Sequence, residues 1–149
     1  MTLTVRSPST IVDLANLSNT MDPVSWAVVR EMWRVGDSFT LLWDGKAIAI
    51  ANLYPMDDGG YEATFNFTPE ATKHMLAIVR ATRLTLIERA YPAIVTLCVT
   101  DAGARLARAV GFFHAKASPN GEVYAYGGPI VRRRGPQAGS AKTAAAVAG

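Results

Sequence analysis

Hydrophobic residues recur along this chain at two spacings, and the switching between them marks its elements. Residues 2–6 alternate Leu3 and Val5 with polar neighbours, the period of a strand with one apolar face, before Ser7-Pro8-Ser9 breaks the run. Thr10 then caps a short helix carrying Ile11, Leu14, Ala15 and Leu17, which ends near Ser18-Asn19. A second helix opens with Asp22 as cap and Pro23 as first helical residue, and Trp26, Val29, Met32 and Trp33 return at helical spacing until Gly36.

Two strand-like runs follow, 38–43 and 46–53, separated by Asp44-Gly45, a pair suited to the positive φ angles of a tight hairpin. Residues 55–60 form a polar loop. Beyond it Tyr61, Ala63, Phe65 and Phe67 alternate with Glu62, Thr64 and Asn66. Thr68 and Pro69 then predict the cap and first turn of the longest helix, with Met75, Val79, Thr82 and Leu86 as its apolar stripe, Leu76 and Ile87 beside it, and an end near Ala90. Tyr91-Pro92 closes that helix, and residues 93–99 are a continuous apolar run, the pattern of a strand buried on both faces. A strand, a long helix and a strand imply a parallel pair. A short helix over 101–110 with Leu106 and Val110 inward ends at Gly111, and strands over 112–117 and 122–126 flank the turn Pro119-Asn120-Gly121.

Composition narrows the function classes. Half of the 149 residues are hydrophobic and 18% are charged, as in a globular protein of one domain. The net charge is +3, but residues 128–149 hold Arg132, Arg133, Arg134 and Lys142 and no acid, so removing those four from the 15 bases leaves eleven against 12 acids. The expected domain, residues 1–127, is therefore close to neutral. The basicity belongs to a Gly-, Ala- and Arg-rich tail over 128–149 that reads as disordered, and nucleic-acid contact would be confined to Arg132, Arg133 and Arg134. Cys98 is the single cysteine and lies in the apolar run, which marks it as a core residue. With His74 and His114 it builds neither a disulfide framework nor a metal site. No apolar stretch approaches the roughly 20 residues needed to cross a bilayer, so synthesis and residence inside a cell, without membrane, are expected.

The order of these elements resembles that of the GNAT (acyl-CoA N-acyltransferase) fold. The resemblance is carried by the segment from Thr100-Asp101-Ala102-Gly103 through Leu106, Val110, Gly111 and Phe112, which is similar to the family's segment ending in L-G-F, with Thr100 where a strand-end Asn is usual. The implied fold is α/β, a mixed, mostly antiparallel sheet with one parallel pair and helices on both faces. The brief first strand, the hairpin, the long helix and the G-F followed by an aromatic strand look most like the small GNAT-like proteins of short-tailed bacteriophages, which implies association with virion or assembly proteins, in the host cytoplasm or virion.

In GNAT enzymes acetyl-CoA lies between the strand before the long helix and the next parallel strand, with its pyrophosphate on the start of that helix. Carried onto this sequence, the resemblance points to Phe65, Phe67, Thr68, Lys73 and Thr100 as cofactor-binding positions and to Glu62 as general base. The family's Q/R-x-x-G-x-G/A signature is missing. Phe67-Thr68-Pro69-Glu70-Ala71-Thr72-Lys73 has no glycine, loses one N–H donor at Pro69 and puts Glu70 where phosphates would bind, while Lys73 and His74 are the nearby cations. The position of the family's acid Tyr is Ala107. Two readings follow: an accessory phage-type protein whose catalysis is weak or lost, or an active N-acetyltransferase of a protein or small amine. Neither calls for a metal.

Overall fold

The computed structural model describes residues 2–18 and 22–127. The tail, with Arg132 to Arg134, lies outside them. The strands are β1 (Leu3–Arg6), β2 (Asp37–Trp43), β3 (Lys46–Pro55), β4 (Tyr61–Phe67), β5 (Ala93–Cys98), β6 (Phe113–Ser118) and β7 (Gly121–Gly127). The helices are α1 (Ile11–Leu17), α2 (Pro23–Val35), α3 (Met75–Arg89) and α4 (Asp101–Val110). The seven strands take the order β1-β2-β3-β4-β5-β7-β6, in which β4 and β5 are parallel. Two compact units divide the chain: Met1–Tyr54 with Thr64–Ala81, and Pro55–Ala63 with Thr82–Gly149.

In the first unit β2 and β3 form the expected hairpin, with Asp44 at φ 49° and Gly45 at φ 84°. The register slips between Leu41 and Leu42, so Ile48 is an extra residue in β3. One sheet face meets α1 and α2, where Leu14, Leu17 and Ile50 form a core with Trp26, Val29 and Trp33. The other meets the start of α3, where Leu41, Ile48, Ala49, Ala71 and Ile78 are buried with Phe65 and Phe67 against them. Gly36 ends α2 where its backbone passes β3, and a Cβ there would sit 2.2 Å from the Leu53 carbonyl oxygen.

The long helix begins differently from the expectation. Pro69–His74 is a 3-10 segment and α3 starts only at Met75; Thr68 precedes the segment but its side chain makes no capping bond. Of the expected stripe, Leu86 is buried and Met75 packs on the core, joined by Ala71 and Ile78, while Leu76 (66% exposed) and Ile87 (58%), expected beside it, face solvent.

In the second unit β5 pairs with β7 from Ala93↔Gly127 to Cys98↔Glu122, and with β4 at Tyr61↔Ile94 and Glu62↔Val95. Thr96 Oγ1 extends that parallel pairing by donating to the Ala63 carbonyl at 2.9 Å. β5 is not buried on both faces, because Leu97 is 42% exposed. Apolar composition could not distinguish that outward position. α4 is capped by Thr100 and closed by Gly111, whose N–H reaches the carbonyls of Ala107 and Arg108. It packs through Ala107 on Cys98 and Tyr124.

A buried polar network joins β1, α1 and β2. Asp13 receives hydrogen bonds from Arg6 Nη2 and, at 2.8 Å, from Thr40 Oγ1, and the Thr10 N–H approaches it at 3.5 Å. Thr40 Oγ1 lies 2.7 Å from Ser9 Oγ, and the Ser9 N–H donates to Ser38 Oγ at 2.9 Å. Burial works to raise the Asp13 carboxyl, but the bonds from Arg6, Thr40 and Thr10 outweigh it and hold the group below its ordinary value. A carboxyl lowered in the folded state stabilises the fold above its unfolded pKa, and that contribution disappears as pH falls through the carboxylate range. Asp13→Ala should therefore cost about 2 kcal/mol at neutral pH. In thermal melts from pH 7 to 3, the wild type should lose its advantage over Asp13→Asn below about pH 4; a constant gap would contradict the assignment.

Candidate functional site

The candidate residues fall in both units. In the first, Phe65 and Phe67 have ring centroids 5.9 Å apart and both lie on the core beside α3, so their rings serve packing. The Thr68 N–H donates to the Ile48 carbonyl at 2.9 Å, which ties the exit of β4 to the extra residue of β3. Its hydroxyl is buried with no partner. Within the 3-10 segment the Ala71 N–H is already taken by the Thr68 carbonyl at 3.0 Å, and Pro69 has no N–H to offer. A helix start with free amides for an anion is thus reduced by both proline and winding.

Side chains change the charge at this start. Lys46, from the β2–β3 hairpin, pairs with Glu70 at 3.4 Å and offsets its negative charge. Lys73, exposed in the same segment, adds a second cation. His74 is not simply solvated: its ring stacks on Trp43 at 3.8 Å and 16°. Neither contact was visible in the sequence, because each joins the hairpin to a segment more than twenty residues later.

In the second unit Glu62 stands in β4 opposite Val95, half-buried, on the strand face opposite Tyr61 and Ala63. Thr100 is engaged locally, since its Oγ1 accepts the Gly103 N–H at 3.0 Å and caps α4. Ala107, where the resemblance puts an acid Tyr, is buried against Cys98 and Tyr124. Arg108 Nη1 donates to the Tyr124 hydroxyl at 2.6 Å, and His114 Nε2 lies 2.7 Å from Glu122 Oε1. No group of three His, Cys, Asp or Glu side chains able to hold a metal occurs among the described residues. No helix among them is long and apolar enough to cross a membrane.

Comparison with solved structures interprets this architecture. An acetyltransferase from Streptococcus agalactiae superposes with a TM-score of 0.64 at 14% identity, covering 84% of this chain and 98% of its own. A GNAT-family acetyltransferase from Bacillus anthracis gives a TM-score of 0.56 at 13% identity, over 85% of this chain and 95% of its own. The fold is that of the GNAT acetyltransferases. AAC(6')-Ib, solved in a complex that includes acetyl-CoA, gives 0.60 at 19% identity over 91% of this chain and 98% of its own. No protein-family model matches the sequence, and no curated protein matches it. At such identities the GNAT likeness is one of fold, and the chemistry has to be argued from the residues.

Cys98 illustrates that distinction. Burial pushes its thiol up, with Arg108 pulling weakly the other way, so the thiolate needed for nucleophilic attack is disfavoured. Ellman's reagent should leave Cys98 unmodified in the native protein at pH 8 and titrate one thiol per chain in denaturant; rapid native labelling would contradict its placement in the core.

Proposed function

We propose that this chain is an acyl-CoA-dependent N-acyltransferase that acts on an amine of a protein or a small molecule. The observation that carries the reading is the match of the GNAT fold along nearly the whole of both chains to acetyltransferases, one of them in complex with acetyl-CoA. When bound, acetyl-CoA supplies a thioester whose acetyl group passes to the amine while the thiolate departs.

The residues present fit its phosphates through side chains more than through backbone. Lys73 and the partly neutralised Lys46–Glu70 pair would serve where the family offers glycine amides, and the Thr68 hydroxyl beside them is unpartnered. Glu62 is the carboxylate on β4 to take the proton that the amine loses. With Ala107 in place of a phenol, no side chain is assigned to protonate the thiolate. Positioning then has to supply much of the rate, and slow turnover is expected.

A second reading, the accessory virion or assembly role with lost catalysis, draws support from the glycine-free 3-10 start and from Ala107. The phage resemblance is its only link to a virion, and the neighbours named above are acetyltransferases.

Calorimetric titration with acetyl-CoA discriminates between the readings. Micromolar binding is expected, weakened about fivefold to tenfold by Lys73→Glu and strengthened by Glu70→Gln, with both effects shrinking at high salt. Undetectable binding at millimolar acetyl-CoA would remove the enzyme reading in favour of the accessory one. Binding indifferent to both substitutions would displace the phosphate site from this segment.

A further inference from the structure

On the sheet face of the first unit that meets α1 and α2, the buried polar side chains of Ser9, Asp13, Ser38 and Thr40 satisfy one another. Asn52 does not join them. It stands in β3 directly across from Ser38 and is only 2% exposed, yet its carboxamide oxygen has no hydrogen-bond partner. Its Nδ2 lies 3.5 Å from Thr64 Oγ1 in β4. Thr64 alternates with Phe65 and Phe67, which face the α3 side, so it shares the α1–α2 face with Asn52.

A buried carbonyl facing no donor is unfavourable, and an aliphatic residue would suit a strand that reads Ala49-Ile50-Ala51 before it. Keeping Asn there makes sense if the donor arrives with a ligand. The chemistry of the oxygen restricts that ligand. It can accept an N–H or O–H but gives nothing to a phosphate or carboxylate, which excludes the anionic parts of a coenzyme. It also carries no charge, so it can take one hydrogen of an amine without forming an ion pair that would favour the unreactive ammonium.

We propose that Asn52 Oδ1 receives an N–H of the acyl-acceptor amine, and that Thr64 is a positioning residue which holds the other end of the carboxamide so that oxygen is the free atom. This assignment rests on the acyltransferase reading and adds an acceptor subsite to it.

The test follows the Asn52 side-chain amide signals of the 15N-labelled full chain by NMR at pH 8, during titration with 2,2,2-trifluoroethylamine, an amine that is uncharged at that pH, and, separately, with its N,N-dimethyl derivative, which has no N–H. Trifluoroethylamine should shift the Asn52 pair saturably and the dimethyl derivative should not. Thr64→Val should weaken the trifluoroethylamine response about tenfold by freeing the carboxamide to turn. Asn52→Val should melt about 3 °C higher than the wild type, because the unmet carbonyl is gone, while the neighbouring Ala51 and Leu53 backbone signals no longer respond to trifluoroethylamine. Unmoved Asn52 signals, or equal shifts with both amines, would overturn the assignment. So would an Asn52→Val protein that melts lower, which would mark the amide as structural; if that variant does not fold, the wild-type and Thr64→Val titrations decide. Acetyl-CoA binding without an amine response sinks only the Asn52 subsite, whereas an amine response without acetyl-CoA binding sinks the acyltransferase reading.

Discussion

A carboxylate taken out of water has to find its hydrogen bonds inside the protein, and Asp13 finds them on three separate pieces of chain. Arg6 comes from β1, Thr10 from the cap of Asp13's own helix, and Thr40 from β2. Thr10 and Asp13 also close a capping box, each serving the other's backbone N–H. One acidic side chain therefore starts α1, fixes α1 against the sheet and attaches the edge strand β1. The apolar core of Leu14, Leu17 and Ile50 supplies most of the burial, but apolar contact tolerates sliding and a hydrogen-bonded carboxylate does not. The position of the α1–α2 face over β2 and β3 depends on that restriction.

What was legible in the sequence was whatever is decided by a residue and its near neighbours. Asp44-Gly45 specifies its turn, Asp22-Pro23 its helix start, and Gly111 the end of α4, because each of these solves a local backbone problem. The long helix was expected to open at Thr68-Pro69, but its first six residues wind more tightly as a 3-10 segment, and Leu76 and Ile87, expected beside the apolar stripe of Met75 and Leu86, face solvent. Lys46 against Glu70 and Trp43 on His74 are settled by tertiary approach, for which no local rule exists. Asn52 lies between these cases. A single carboxamide inside an apolar strand is visible in the sequence, but only the burial of its oxygen without a partner makes it the candidate proposed above.

The same division explains how the GNAT fold is recognisable at 13–19% identity while the family's chemical signature is not. A fold is maintained by many interchangeable apolar positions, so Ile, Val and Leu can replace one another with small cost if volume and period are kept. A phosphate cradle or a general acid depends on particular atoms, so one proline and one alanine suffice to remove it.

Removal at those positions need not end the function, because the requirements are electrostatic and geometric and other side chains can meet them. On the proposed reading, an anion at the start of the 3-10 segment needs positive charge, which Lys73 carries on a side chain while Lys46 offsets Glu70, where glycine amides would carry it on backbone. Side-chain cations are less pre-organised and more screened by salt than backbone N–H groups, so a site built this way holds its ligand more weakly and with a stronger dependence on ionic strength. Weaker ground-state binding is compatible with turnover, provided the amine is well placed. A fixed neutral acceptor such as Asn52 suits that task, since it directs an amine without neutralising its lone pair. On the acyltransferase reading, what this chain lacks is thus a backbone cradle for phosphate and a phenol at position 107, and placing the two reactants falls to the side chains it keeps.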